Sequence, residues 1–88
     1  MTKRERAQVV ELLRCAADQC TADSVTAMST ASEDLGYVSW DPVYSFAWDV
    51  RAAQVGTSPA GMFSFVPAEI YRGELLEAAQ RVEDGEWP

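Results

Sequence analysis

Apolar residues recur at helical spacing through the first twenty residues of the chain. Thr2 and Glu5, three positions apart, form the capping-box pattern of a helix N-terminus. At 100° per residue, the apolar positions that follow fall within about 60° of one another on one face of a helix. These positions are Val9, Leu13, Ala16 and Cys20. The pattern predicts an amphipathic first helix.

Start and stop residues predict a second and a third helix. The second covers about residues 23–35 and stops at Gly36. The third has Asp41 as its N-cap and Pro42 at its first position, and it stops at Gly56. Apolar side chains surround about half of its circumference or more, so we expect the third helix to be the central, most buried element.

The last helix is predicted from Pro67 to a stop at Gly85. Its apolar seam repeats the spacing of the first helix, with Tyr71, Leu75, Ala78 and Val82. The chain is therefore predicted to be one domain, residues 1–88, folded as an all-α bundle of three to four helices. The alternative is an α+β fold in which residues 37–40 pair with residues 62–66 as a minor two-stranded element.

Charge and composition limit the partners of this domain. The 88 residues include fourteen acidic and seven basic ones, which gives a formal net charge of −7. This charge argues against direct binding to nucleic acid phosphates. No run approaches the 18 apolar residues of a membrane span, and no apolar core of a signal peptide follows the charged start. We expect a cytoplasmic protein that binds neither nucleic acid nor membrane.

The two cysteines, Cys15 and Cys20, differ in their predicted surroundings. Five positions apart on a helix, they point about 140° away from each other, with Cα atoms roughly 8 Å apart. This distance exceeds the limit of about 7 Å for a disulfide. Cys20 lies on the apolar seam and is expected in the core. Cys15 falls on the solvent face, either as an incidental surface residue or as a residue that another chain covers.

The sequence carries no pattern of catalysis. It has no histidine, no nucleophile motif and no glycine-rich phosphate loop, and two cysteines alone cannot complete a zinc site. The carboxylate pairs Glu33 with Asp34 and Asp41 with Asp49 are better explained as helix caps and solvated charge. We therefore expect no enzyme, no cofactor and no metal.

Aromatic and methionine side chains in predicted loops are the strongest functional signal. Such side chains are typical anchors of protein interfaces. The candidate interface residues are Trp40, Met62, Phe63, Phe65 and Trp87, with Cys15 added for its position on the outer face of the first helix. The alternative is that the aromatics close the domain's own core. The sequence favours a protein partner, or self-association, over an enzyme.

The opening ERAQVVELLRCAAD and the ending ELLEAAQRVEDGEWP resemble the ends of small uncharacterised proteins of bacteriophages and prophages. This resemblance implies an accessory protein that binds a host protein and inhibits or redirects it. A second hypothesis is an acidic mimic of nucleic acid that blocks a nucleic-acid-binding protein. The acids are scattered and interleaved with Arg, which favours the first hypothesis.

Overall fold

The computed structural model describes residues 1–20, 23–57 and 68–87, and these residues form four helices. The helices are α1 (Lys3–Asp18), α2 (Ser24–Asp34), α3 (Pro42–Thr57) and α4 (Ala68–Glu83). The described residues contain no strand, and residues 37–40 form loop and turn. The all-α prediction is confirmed. The partner proposed for the alternative strand pair, residues 62–66, lies outside the described residues.

The predicted capping box begins α1, and a cap that the sequence analysis did not assign begins α2. The backbone N–H of Glu5 donates to Thr2 Oγ1 at 3.1 Å, and the backbone N–H of Thr2 donates to Glu5 Oε1 at 2.9 Å, which completes the capping box of α1. Asp23 caps α2 by accepting from the backbone N–H of Thr26 at 2.7 Å. Because each cap satisfies an N–H that has no partner within the helix, each stabilises its helix by about 1 kcal/mol.

Two of the three predicted glycine stops are confirmed. Gly36 and Gly85 both adopt φ of +78° just after α2 and α4. At each, the N–H of the following residue donates back to a carbonyl of the last helical turn at 2.9 Å, the geometry of a Schellman motif. The third stop was wrong by a residue, since α3 passes through Gly56 and ends at Thr57. A single glycine costs a helix only about 1 kcal/mol and does not have to end it.

The centre of the bundle is α1, so the prediction that α3 is central was wrong. Helix α1 packs against all three other helices, most extensively against α4, whereas α2 makes few contacts with α3 or α4. Five apolar side chains of α1 are fully buried: Val9, Leu12, Leu13, Ala16 and Ala17. The bulky aromatics of α3 are only half-buried: Phe46 and Trp48 pack against the core, and Tyr44 contacts the Trp48 ring.

The core confirms the two seams that the sequence predicts for the terminal helices. Leu75, Ala78 and Val82 of α4 are fully buried against the seam of α1, and Cys20 is buried with them. Full burial of a leucine contributes about 1.5–3 kcal/mol relative to exposure. The contact between α1 and α4 is the most extensive between helices of the described residues, and it joins the first and last helices of the chain.

Candidate interaction surface

Trp40 is the most exposed of the large apolar side chains that the structure describes, with 82 % of its surface accessible. It lies in a turn of residues 38–41, the Trp40 turn, which connects α2 to α3. The N–H of Asp41 donates to the carbonyl of Val38 at 2.9 Å and closes this turn. Val38 is 40 % exposed, so two apolar side chains of one turn face solvent.

Both ends of the Trp40 turn are fixed to helices. On one side, the N–H of Tyr37 donates to the carbonyl of Ser32 at 2.9 Å, and the half-buried Tyr37 ring packs against the core. Burial raises the pKa of Tyr37, and nearby carboxylates raise it further. On the other side, Asp41 Oδ1 accepts from the backbone N–H of Val43 at 2.9 Å as the cap of α3. Trp40 therefore lies in a turn whose backbone is hydrogen-bonded to the helices on both sides.

Trp87 has the opposite environment. Its half-buried ring packs against the core, and the guanidinium of Arg81 lies over the ring at 4.7 Å from the centroid. Arg81 also donates to Glu86 Oε2 at 3.2 Å and to Gln54 Oε1 at 3.1 Å. The indole N–H of Trp87 is buried without a hydrogen-bond partner in the described part of the chain. Trp87 therefore packs against the domain's own core, as the alternative to an interface role predicted.

The remaining interface candidates lie in other parts of the chain or outside the described residues. Met62, Phe63 and Phe65 lie outside the described residues. Trp87 follows α4, Cys15 lies on α1, and Trp40 lies between α2 and α3. Among the side chains described, Trp40 with Val38 is the part of the predicted interface that faces solvent.

Cys15 is half-buried and packs against the core, so the prediction that it lies exposed on the solvent face of the first helix was wrong. The side-chain amide of Gln19 donates to Cys15 Sγ at 3.2 Å and to Asp34 Oδ2 at 2.9 Å. Gln19, the C-cap of α1, lies one turn after Cys15 on the same helix and connects it to Asp34 of α2. The link to α2 is a contact between helices, which the spacing of residues along α1 does not predict.

Cys20 has the predicted core position. It is 9 % exposed, and both cysteines are free thiols. Burial raises the pKa of the Cys20 thiol, and the carboxylate of Asp23 raises it further. Because the thiolate is the reactive form of cysteine, a raised pKa and burial both lower the reactivity of this thiol.

The sequence analysis did not predict the polar contacts that α3 makes with α2 and α4. Gln54 is 5 % exposed, donates to Glu74 Oε2 at 2.9 Å and accepts from Arg81. Arg51 donates to Ser24 Oγ at 2.9 Å, and its guanidinium lies 5.4 Å from the Trp48 ring centroid. Burial lowers the pKa of Arg51. These residues cross-link helices, and no spacing along the chain marks them in advance.

The carboxylates considered for chemistry have structural roles where the structure describes their contacts. Asp41 caps α3, and Asp34 accepts from Gln19 between α1 and α2. Within residues 1–20, 23–57 and 68–87, no group of three or more potential ligand side chains is placed to hold a metal ion. In the same residues, every helix is too short or too polar to cross a bilayer.

No family model matches this chain, and neither a curated protein nor a solved structure matches it. The similarity of its ends to phage proteins therefore stays a prediction.

Proposed function

We propose that this protein acts by binding another protein and that Trp40 is the anchor of the interface. The observation that carries the proposal is the exposure of this indole, 82 %, in a turn whose two ends are hydrogen-bonded to helices. Tryptophan is enriched among the residues that dominate binding free energy, because it buries a large apolar surface with few rotatable bonds.

Order in the Trp40 turn supports the proposal. A partner that covers an already ordered indole does not lose free energy in ordering the backbone that carries it. Val38 on the same turn adds a second apolar side chain, and the adjoining Pro42 is also exposed. An apolar group of this kind fits the buried centre of an interface, which polar residues would surround.

The resemblance to phage proteins implies an accessory protein, and the partner of such a protein is a host protein whose activity it modulates. The acidic-mimic hypothesis is less well supported by the charges. Three of its carboxylates, Asp18, Glu83 and Glu86, form ion pairs with arginines of the same chain. A mimic of a phosphate backbone needs such carboxylates uncompensated and aligned.

The test is recovery of partners from a bacterial lysate with immobilised protein and quantitative mass spectrometry. We expect Trp40→Ala to reduce recovery of the partner by about thirtyfold, the effect of losing an interface residue worth about 2 kcal/mol. The matched control is Leu76→Ala, which removes a 41 % exposed apolar side chain of α4. Equal recovery by both variants, or no specific recovery by the wild type, would contradict the proposal.

Salt separates the two binding hypotheses in the same experiment. Binding through Trp40 changes little between about 50 mM and about 500 mM salt, because apolar burial is not screened. Binding as a nucleic-acid mimic falls steeply over that range. Loss of the partner at high salt with no effect of Trp40→Ala would favour the mimic.

A further inference from the structure

Helix α2 buries little apolar surface. It is the shortest of the described helices, and Met28 is the one large apolar side chain among its buried residues. The other buried positions carry alanine or serine: Ser24, Ala27, Ala31 and Ser32. Stabilisation by burial scales with the apolar area removed from water. The face that α2 packs on the core therefore contributes less than the leucine-bearing seams of α1 and α4.

The residues of α2 also favour a helix only weakly. Six of its eleven residues are serine, threonine or valine, which have lower helix propensity than alanine or leucine. Glu33 and Asp34 lie in its last turn, where the helix dipole disfavours negative charge and no base is present. The Ser32 hydroxyl is buried without a hydrogen-bond partner in the described part of the chain, which costs free energy.

The attachment of α2 to the rest of the bundle is limited. It packs chiefly against α1 and makes few contacts with α3 or α4. Two side-chain hydrogen bonds join its ends to other helices, from Arg51 to Ser24 Oγ and from Gln19 to Asp34 Oδ2, each at 2.9 Å. Among the described residues no ion pair joins α2 to another helix, whereas ion pairs do join α1 to α4. Segments with few buried apolar contacts open locally while the rest of a protein stays folded.

The buried thiol of Cys20 lies beside the start of α2. Its side chain is 9 % exposed. Burial raises its pKa, and so does the nearby carboxylate of Asp23, which is the N-cap of α2. At the other end of α2, its C-cap Leu35 lines the same groove as Cys15. Displacement of α2 therefore removes neighbours of both thiols.

We propose that α2 opens as a unit while α1, α3 and α4 stay packed, and that this opening controls access to the Cys20 thiol. The open state keeps the extensive contact between α1 and α4 and loses only the weaker contacts of α2. This conformational property goes beyond the function proposed above and does not depend on it, because no partner is needed for α2 to open.

The experiment measures the rate at which Cys20 reacts with dithiodipyridine, in a Cys15→Ala background that leaves one thiol. The thiolate attacks the disulfide of the reagent, forms a mixed disulfide and releases a pyridinethione that absorbs light. At low reagent concentration the rate follows the population of the open state. We expect its dependence on urea to be less than about half that of global unfolding, because the opening of α2 alone exposes only part of the buried surface.

Two glycine variants form a matched pair. Gly36 ends α2 and Gly85 ends α4, both at φ of +78°, so an alanine is strained equally at each. We expect Gly36→Ala to speed the labelling of Cys20 about tenfold, because the strain is released when α2 opens. Gly85→Ala should change labelling by less than about twofold, since α4 stays folded in the open state. Circular dichroism checks that both variants are folded.

A third variant has the opposite expected effect. Ser32→Ala removes the unpaired buried hydroxyl and raises helix propensity, so it should slow the labelling of Cys20 about threefold or more. Hydrogen exchange of backbone amides, measured by NMR, follows the same opening directly. Amides of α2 should exchange at least about tenfold faster than the slowest amides of α1 and α4.

Three outcomes would overturn the proposal. Equal acceleration by Gly36→Ala and Gly85→Ala would mean that α2 opens only when the whole protein unfolds. A urea dependence of labelling as steep as that of global unfolding would mean the same. Rapid labelling of Cys20 while the α2 amides stay protected would show that access to this thiol does not pass through the opening of α2.

Discussion

Two tryptophans follow helices that end in the same way, and they have opposite environments. Gly36 ends α2 and Gly85 ends α4, each with φ of +78° and each followed by an N–H that bonds back to the last turn. Trp87, two residues after Gly85, packs against the core beneath Arg81. Trp40, four residues after Gly36, lies in solvent.

The difference comes from which aromatic residue follows the glycine most closely. In a Schellman motif the residue that follows the glycine often makes an apolar contact with the last turn of its own helix. After α2 this residue is Tyr37, which packs against the core. Asp41 and Pro42 then begin α3, and Trp40 before them is exposed. In these two loops the aromatic nearer to the glycine packs against the core and the more distant one is exposed.

The largest expected difference lies in stability. We expect Trp87→Ala to lower the free energy of unfolding by about 2 kcal/mol, less than for a fully buried aromatic because the ring is half-buried and its N–H is unpaired. Trp40→Ala should change it by no more than about 0.5 kcal/mol. Urea denaturation followed by circular dichroism measures both. Equal costs would mean that the two environments do not differ energetically.

The glycine stops give the next largest effect. Gly36→Ala and Gly85→Ala should each lower stability by about 1–2 kcal/mol, because an alanine is strained at positive φ. The matched control is Gly73→Ala inside α4, where an added Cβ meets no atom within 4 Å. That change should raise stability by about 0.5–1 kcal/mol. A loss at Gly73 as large as at the stops would contradict the role of backbone conformation.

The contact between Arg81 and Trp87 should show a smaller coupling. A double-mutant cycle of Arg81→Met and Trp87→Leu isolates the interaction of the two side chains from their other contacts. We expect a coupling free energy of about 0.5–1 kcal/mol for a cation over a partly exposed ring. The corresponding cycle of Arg81→Met with Trp40→Leu should show none. A zero value in both cycles would mean that Arg81 does not hold Trp87.

The smallest effect concerns Tyr37 at alkaline pH. Its pKa is raised in the folded protein, first by burial, so the unfolded chain loses the phenolic proton more readily as the pH rises above 10.0. Stability that is present below this pH should therefore fall above it. The buried Cys20 thiol, whose pKa is also raised, contributes a similar fall from a pH near 9.0. Urea denaturation at a series of pH values measures this fall in stability. Tyr37→Phe should remove only the fall above pH 10.0, and an unchanged dependence of stability on pH would contradict the prediction.

The local signals of the sequence predicted the elements well. Thr2 with Glu5, Asp23 and Asp41 begin helices, and Gly36 and Gly85 end them, because caps and positive φ depend on residues within a few positions of each other. The apolar seams of α1 and α4 were predicted for the same reason. Gly56 shows the limit of such signals, since neighbouring turns of α3 carry the helix past it.

The candidate site was predicted less completely. Trp40 was predicted to be an interface residue because it is an aromatic in a loop before an N-cap, and its side chain is exposed in the structure. Trp87 carried the same signal and packs inward, because Arg81 and the end of α4 are present beside it. Cys15 lies off the apolar seam of its own helix, yet it is half-buried against the core. The spacing of apolar residues along one helix does not contain the packing of that helix against its neighbours.

The sequence by itself determined where the helices begin, where most of them end and which stripe of α1 and of α4 is apolar, since these depend on covalent neighbours and on helical geometry. Only the tertiary structure decided that α1 rather than α3 is central, and that Trp87 packs against the core while Trp40 is exposed. Burial is a property of the space between elements, and residues from separate helices fill that space.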